Sequence, residues 1–195
     1  NDFRPQTFEE VRGQEVAVKI IRNQVLNNTA NSFLLVGRHG TGKTTLAKIF
    51  ARALNCENPQ NGNPCNKCMS CKDYFNGNNY DIVEIDGASN NGVDDVRKIK
   101  DSLIYTPKKK KVYIIDEVHM LSDSAFNALL KTLEEPPKYV VFILCSTEVE
   151  KIPQTIRSRC LRIDLNRIYE KDSIEEIKKI CTVKKYKYEI ESLHM

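Results

Sequence analysis

Gly37-Arg38-His39-Gly40-Thr41-Gly42-Lys43-Thr44 fits the pattern G-x-x-x-x-G-K-[ST], and its flanks are those such a loop needs. Before it, Phe33-Leu34-Leu35-Val36 is an apolar run of strand type. After it, Thr45 to Leu54 carries Leu46, Ile49, Phe50, Ala53 and Leu54 at helical spacing. Strand, loop and helix in that order form a phosphate cradle. The glycines let the backbone wrap closely around a triphosphate, while successive N–H groups and the helix N-terminus face the anion. Lys43 reaches the β and γ oxygens, and Thr44 offers a hydroxyl to Mg²⁺. Arg38, His39, Thr41 and Thr45 complete the expected nucleotide-contacting set. A plain Gly-rich turn before a helix is the competing reading.

Working outward, further strands and helices alternate. Thr7-Phe8-Glu9-Glu10 reads as a capping box opening a short helical turn. Gln14 to Leu26 puts Ala17, Ile20, Ile21 and Val25 on one helical face. Downstream, Asp81 to Asp86 is a strand, and Val93, Val96, Ile99 and Leu103 mark a helix ending before Pro107. Val112-Tyr113-Ile114-Ile115 is a continuous apolar run, typical of a strand buried on both faces. Ser122 to Leu133 is helical by spacing and stops at Pro136-Pro137; Val140 to Leu144 and Cys160 to Leu165 are two more strands. This alternation predicts an α/β fold with a parallel sheet and helices on both sides, and ligands at the carboxyl ends of the strands. Beyond Leu165 the pattern changes. Ser173-Ile174-Glu175-Glu176 is a second capping box and Ile174, Ile177, Ile180 and Cys181 form an apolar stripe, so a new helical unit is expected to start near Asp172.

Composition sets bounds on the rest. With 41% apolar and 29% charged residues the chain is ordinary for a globular protein, and no apolar stretch approaches the ~20 residues that cross a bilayer. The start, Asn1 to Pro5, lacks a signal-peptide core, which points to a cytosolic protein without a membrane partner. A first residue other than Met and an end amid a helical pattern suggest a piece of a longer polypeptide. The net charge of +4 is compatible with a nucleic-acid partner but too small to argue for one. Lys108 to Lys111 is the one dense basic run, readable as a solvated turn or as a phosphate contact.

Asp116 and Glu117 directly follow the buried run. Asp116 would hold Mg²⁺ through its water shell, because that ion keeps an octahedron of oxygens. Glu117 would orient and deprotonate the attacking water; two carboxylates merely ending a strand is the alternative. Thr147, at the end of the strand Val140 to Leu144, could contact the γ-phosphate or the water. Arg157 and Arg159 stand ahead of the last strand with no obvious carboxylate neighbour. Either is a surface pair or an arginine finger, donating charge to a neighbouring subunit's nucleotide and worth roughly 10³- to 10⁵-fold in rate.

Four of the seven cysteines form a further group. Cys65, Cys68 and Cys71 are spaced C-x₂-C-x₂-C, and Cys56 lies nine residues earlier, within a polar stretch from Cys56 to Asn79 that reads as an inserted module. Four thiolates make a closed tetrahedral Zn²⁺ site with no open coordination position, hence a structural role. Disulfides compete, but a cytosolic compartment disfavours them, and three cysteines within seven residues make poor bridge partners. The metal would stabilise an insert lacking its own core, with site energies of roughly 10–16 kcal/mol in model peptides. Cys145, Cys160 and Cys181 sit in apolar patterns and read as core residues.

From Arg4 to about Leu165 these motifs resemble the gamma/tau family of bacterial DNA polymerase III, the ATPases of the sliding-clamp loader, within the AAA+ superfamily. The resemblance rests on Arg4-Pro5-Gln6-Thr7-Phe8, Val11-Arg12-Gly13-Gln14-Glu15, the loop Gly37 to Thr44, the four cysteines, Val112 to Met120, Asn127 to Pro137 and Ser158-Arg159-Cys160. It implies that Arg159 rather than Arg157 is the finger acting in trans, that Thr147 is the sensor-1 residue, and that Arg4, Pro5 and Val11 lie against the adenine. Many family members carry Asn at the sensor-1 position. The related delta-prime subunits share the zinc module but typically lack a working phosphate loop, so Gly42-Lys43-Thr44 favours gamma/tau. The division implied is an AAA+ P-loop ATPase domain over 1–165, with the zinc module at 56–71 inserted, and the start of a helical lid over 166–195. The cofactors implied are ATP, Mg²⁺ and Zn²⁺. The implied partners are delta, delta-prime, further gamma/tau copies, the sliding clamp and primer-template DNA. Another AAA+ motor, a helicase or remodeller, and a non-catalytic nucleotide-stabilised scaffold are the alternatives.

Overall fold

Each of the five apolar runs becomes a strand. A computed structural model describes residues 3–102 and 106–184. In chain order the elements are α1 (Glu15–Asn27), β1 (Ser32–Val36), α2 (Lys43–Asn55), α3 (Met69–Phe75), β2 (Ile82–Asp86), α4 (Val93–Ser102), β3 (Lys111–Asp116), α5 (Asp123–Glu134), β4 (Val140–Ser146), α6 (Gln154–Arg157), β5 (Leu161–Asp164) and α7 (Glu170–Lys184). Short 3₁₀ turns sit at Phe8–Glu10, Val118–Met120 and Val149–Lys151. All strand pairs are parallel, in the order β2-β3-β4-β1-β5. Every residue of the central strands β1 and β4 is buried, which is why they read as unbroken apolar runs rather than alternating ones.

Successive side chains point to opposite faces of the sheet, and this alternation splits the core in two. Phe33 and Leu35 join α1 and α2 through Ala17, Ile21, Leu46 and Phe50. Leu34 and Val36 face the other way, toward Val96 and Ile99 of α4, Phe126 and Leu129 of α5, and Ile156 of α6. Aromatic pairs anchor both layers. Phe33 meets Phe50 edge-on at 4.8 Å between centroids, and Tyr113 stacks on Phe142 at 5.4 Å. Parallel register then aligns the strand ends: Val36 pairs with Ser146, Ile115 with Leu144, and Asp86 with Asp116. The loop after β1, the acidic end of β3 and the end of β4 therefore share one edge.

Several local expectations are revised. Thr7 makes no side-chain cap; the turn after it is a three-residue 3₁₀ helix, and Glu10 instead accepts the Gln6 N–H at 2.6 Å. Ser173 lies inside α7, where its N–H is already satisfied by the Tyr169 carbonyl at 3.1 Å, so it caps nothing. None of Ile174, Ile177, Ile180 and Cys181 is buried among the described residues, because α7 packs no face into the core. Cys145 is a core residue, Cys160 is half-buried against the second core layer, and Cys181 is not core. Leu103 and residues 185–195 of the expected lid fall outside the described residues. Of the basic run, Lys108 to Lys110 precede β3 and Lys111 opens it, and the ammonium groups of the last three are tied to backbone. Lys109 donates to the Cys56 carbonyl, Lys110 to that of Lys138, and Lys111 to that of Tyr80. No helix of the described residues is long and apolar enough to cross a membrane.

Candidate active site and metal centre

Two glycines of the phosphate loop adopt left-handed backbone, Gly40 at φ +76° and Gly42 at φ +91°, and Gly42 is the residue from which α2 starts. A third, Gly37, is required sterically: a Cβ there would stand 2.7 Å from Thr41 Oγ1 and 3.0 Å from the Leu165 carbonyl. The Lys43 side chain folds back over the loop. Its Nζ donates to the carbonyls of Gly37 (2.9 Å) and Arg38 (3.0 Å), and the residue is only 5% exposed. Thr41 Oγ1 donates to the Arg38 carbonyl, tightening the same curve.

Thr44 Oγ1 donates to Asp116 Oδ2 at 2.6 Å, across a sequence separation of 72 residues. A hydroxyl and a carboxylate so placed are the hard oxygen pair suited to Mg²⁺, which takes few protein ligands and keeps several waters. Beside them Glu117 occupies the left-handed region, at φ +44°. This is uncommon for a residue with a Cβ and belongs to the sharp exit from β3. Thr147 Oγ1 donates to Glu117 Oε2 at 3.1 Å, so the polar group expected at the end of β4 contacts the carboxylate expected to handle water. His39 of the loop comes within 3.7 Å of Glu117 Oε1.

Residues that sequence reasoning passed over also shape this edge. His119 lies between Glu117 Oε2 and Glu148 Oε1, 3.3 Å from each. Gly87 follows β2 and donates its N–H to the Asp116 carbonyl; a Cβ there would stand 2.8 Å from the carbonyl oxygens of both Asp116 and Glu117. A lone glycine directly after a strand was its only signal. Gln14 is buried and donates to the carbonyls of Thr41 and Asn166 while accepting the Asn166 N–H, which ties the phosphate loop to the segment after β5.

Pro5 and Val11 line a cavity of about 290 Å³ together with Gly42, Thr45, Ile168 and Ser173, beside the phosphate loop. Arg4 does not line it; it borders a separate cavity with Thr45, Lys48, Arg52 and Tyr74. Arg38, His39, Gly40 and Thr41 face Thr147 and Ile174 across a wider cleft. Arg159 has a carboxylate neighbour after all. It donates to Glu134 at 2.8 Å and to the Thr155 carbonyl at 2.7 Å, while Arg157 pairs with Glu150.

The four cysteines converge. The Sγ atoms of Cys56, Cys65, Cys68 and Cys71 all lie within 4.8 Å of one another, and all four are free thiols. A tetrahedron with metal–sulfur bonds of about 2.3 Å has edges of roughly 3.8 Å; Cys56 and Cys68 stand at 4.0 Å, so the donor set could hold a metal ion that takes four thiolates. Backbone N–H groups of Cys65 and Cys68 point at the sulfurs of Cys56 and Cys65. Burial raises the Cys56 and Cys71 thiols; at Cys65 the same effect is outweighed by N–H donors at Lys67 and Cys68, which bring it down to about 6. The insert also grips the N-terminal segment. Asn63 accepts the Phe8 N–H, and Asn66 donates to the Gln6 carbonyl. Arg52, 2% exposed, bonds Asn66 and Gln6 while lying over the Phe75 ring at 4.7 Å.

Comparison with known proteins places this geometry in a family. The family model for "DNA polymerase III, delta subunit" matches residues 13–169. The chain is 50% identical to the DNA polymerase III subunit tau of Bacillus subtilis, over 99% of its own length and 35% of that protein. It is also 50% identical to subunit gamma of Buchnera aphidicola, over 91% of its length and 50% of that protein. It thus spans between about a third and a half of these curated relatives. Among solved structures, a DNA polymerase III gamma subunit-related protein of Thermotoga maritima aligns at 26% identity and TM-score 0.58, covering 85% of this chain and 51% of that one. The RuvB Holliday junction branch migration motor of the same organism shares the fold at TM-score 0.72 and 23% identity, over 100% of this chain and 59% of that one. The chain therefore belongs to the DNA polymerase III subunit family that this model describes, with gamma and tau subunits among its relatives.

Proposed function

We propose that the chain is the ATP-binding and hydrolysing portion of a gamma/tau-type subunit of the bacterial DNA polymerase III clamp loader, which uses ATP to open and load the sliding clamp on primed DNA. The observation that carries this reading is the junction of loop and acidic strand end, Thr44 Oγ1 to Asp116 Oδ2, with Glu117 and Thr147 alongside. Gly37 to Thr45 would wrap the phosphates, Lys43 would neutralise the β and γ oxygens, and Thr44 with Asp116 would hold Mg²⁺, which supplies charge compensation for the transferred phosphoryl group. Glu117 would orient the attacking water and accept its proton, with Thr147 fixing that carboxylate. Pro5 and Val11 supply an apolar wall suited to the adenine; Arg4 reaches the neighbouring cavity instead.

Cys56, Cys65, Cys68 and Cys71 would hold a structural Zn²⁺, and residues 166–184 would open a helical lid over the cleft. Arg159 would act on the nucleotide of an adjoining subunit, after leaving Glu134. Delta, delta-prime and further gamma/tau copies, the clamp and primer-template DNA are the partners in this reading, in the bacterial cytoplasm. The intact Gly42-Lys43-Thr44 supports a hydrolysing subunit rather than a delta-prime type. The test is steady-state ATPase of the full-length protein, reconstituted with the other loader subunits, with and without clamp and primed DNA. Strong stimulation by both together is the expected result. Turnover indifferent to the clamp would point to another AAA+ motor, and no turnover to a scaffold.

A further inference from the structure

His119 is unusual in this chain for its surroundings. It sits on the 3₁₀ turn Val118–Met120, pinned by the fully buried Val118, and its side chain is 5% exposed. Both ring nitrogens face carboxylates: Nδ1 is 3.3 Å from Glu117 Oε2, and Nε2 is 3.3 Å from Glu148 Oε1. Nδ1 also stands 3.2 Å from Ser146 Oγ, which accepts the Glu148 N–H at 3.0 Å. The ring thus joins the end of β3 to the loop after β4.

We propose that His119 is a positioning residue for Glu117, holding its carboxylate through Nδ1 and linking its orientation to the Ser146-Thr147-Glu148 segment. This rests on the hydrolytic reading given above. A neutral imidazole carries one N–H and so donates to one of the two carboxylates only: with that proton on Nδ1 it holds Glu117 Oε2, and Glu148 keeps Lys151 as its partner. Glu117 Oε2 is then fixed between the His119 ring and the Thr147 hydroxyl, and Oε1 is left to face a water. The charged or titratable groups around the ring are Glu117 on its own turn and Glu148 from the loop after β4. Lys151 pairs with Glu148, and His39 lies at the far oxygen of Glu117.

The test uses the full-length protein in reconstituted loader, comparing wild type, His119→Ala, His119→Gln, Glu117→Gln and the double variant His119→Ala/Glu117→Gln. The expected result is a fall in kcat of about 10- to 100-fold for His119→Ala, as for a modest misplacement of a reacting group, with KM for ATP and melting temperature unchanged. His119→Gln, which can still donate to one carboxylate, recovers part of the loss. Adding His119→Ala to Glu117→Gln costs nothing further because the two act as a unit. Unchanged kcat in His119→Ala, losses that add to those of Glu117→Gln, or a loss that follows ATP affinity or melting temperature would each overturn the proposal. A wild type without turnover, or one insensitive to Glu117→Gln, would instead overturn the hydrolytic reading itself.

Discussion

Lys43 and Glu117 stand at the same edge of the sheet, and the proposed function gives them different roles. Lys43 is held by two carbonyls of its own loop, so its ammonium is already aimed at the space the loop encloses. Truncation to Ala removes a charged donor present in both the bound and the reacting complex, and we expect ATP affinity and turnover to fall together. Glu117→Gln keeps the shape and the Thr147 contact but cannot take a proton. It should bind ATP as wild type does while turnover drops by roughly 10²- to 10⁴-fold, read by nucleotide-binding titration beside steady-state ATPase. Equal loss of binding in both variants would refute the division of roles. Gly87 offers a sharper steric case. Its Cβ would meet two backbone carbonyls at 2.8 Å, and backbone cannot yield as a flexible side chain does. Gly87→Ala should cost about 1–3 kcal/mol in urea unfolding, in the range of overpacked sites, and reduce turnover by displacing Asp116 and Glu117. Stability within 0.5 kcal/mol of wild type, the range of ordinary surface changes, would show that β2 and β3 can part at no cost.

The insert between α2 and β2 has little regular structure beyond the seven residues of α3, and in the proposed reading a metal on its cysteines would hold it in shape. Gln60 and Asn63 bridge across Asn61 and Gly62, both at positive φ, so the tip turns as a two-residue hairpin does. That turn delivers Asn63 to Phe8, while the next segment delivers Asn66 to Gln6 and Arg52. Zinc would therefore act at a distance, by fixing the segment that carries Pro5 and Val11 to the wall beside the phosphate loop. Removing zinc with a chelator under reducing conditions should loosen residues 3–11 in hydrogen exchange and weaken ATP binding several-fold, while the two sheet-facing core layers stay protected. Metal affinity should also rise with pH. Burial raises the Cys56 and Cys71 thiols, and both must lose a proton to become ligands, so acidification favours the metal-free form. Titration calorimetry in buffers of different ionisation enthalpy would count those protons. A folded protein without metal in elemental analysis, purified without chelators, would remove zinc from the account.

The strands and the phosphate loop were legible because each depends on neighbours in sequence: an apolar run such as Val140 to Leu144, or a glycine pattern ending in Lys43-Thr44. His119, Gly87 and Gln14 were not. Apart from Glu117, two residues from His119, their partners named above lie 27 residues or more away along the chain, and only the register of parallel strands brings Ser146 to His119 or Asp116 to Gly87. The same limit applied to Arg159, whose partner Glu134 is 25 residues upstream at the end of α5. That pair bears on how whole subunits work together. The Arg159–Glu134 pair is partly exposed, so its strength is screened and of the order of an ordinary surface bridge, about 0–1 kcal/mol. Such a pair can hold the guanidinium in place without opposing its transfer to a phosphate, which offers a stronger, multiply charged acceptor. If the arginine serves the neighbouring subunit, its loss will not be felt by the nucleotide bound in its own chain. Arg159→Ala should leave ATP affinity of the isolated subunit unchanged, and clamp- and DNA-stimulated hydrolysis by the assembled loader should fall by roughly 10³- to 10⁵-fold. Mixed assemblies then separate cis from trans: Lys43→Ala and Arg159→Ala subunits combined should regain turnover at those interfaces where an intact Lys43 site faces an intact Arg159. No recovery at any mixing ratio, or full activity of the all-Arg159→Ala assembly, would confine Arg159 to its bond with Glu134 and leave each subunit to hydrolyse alone.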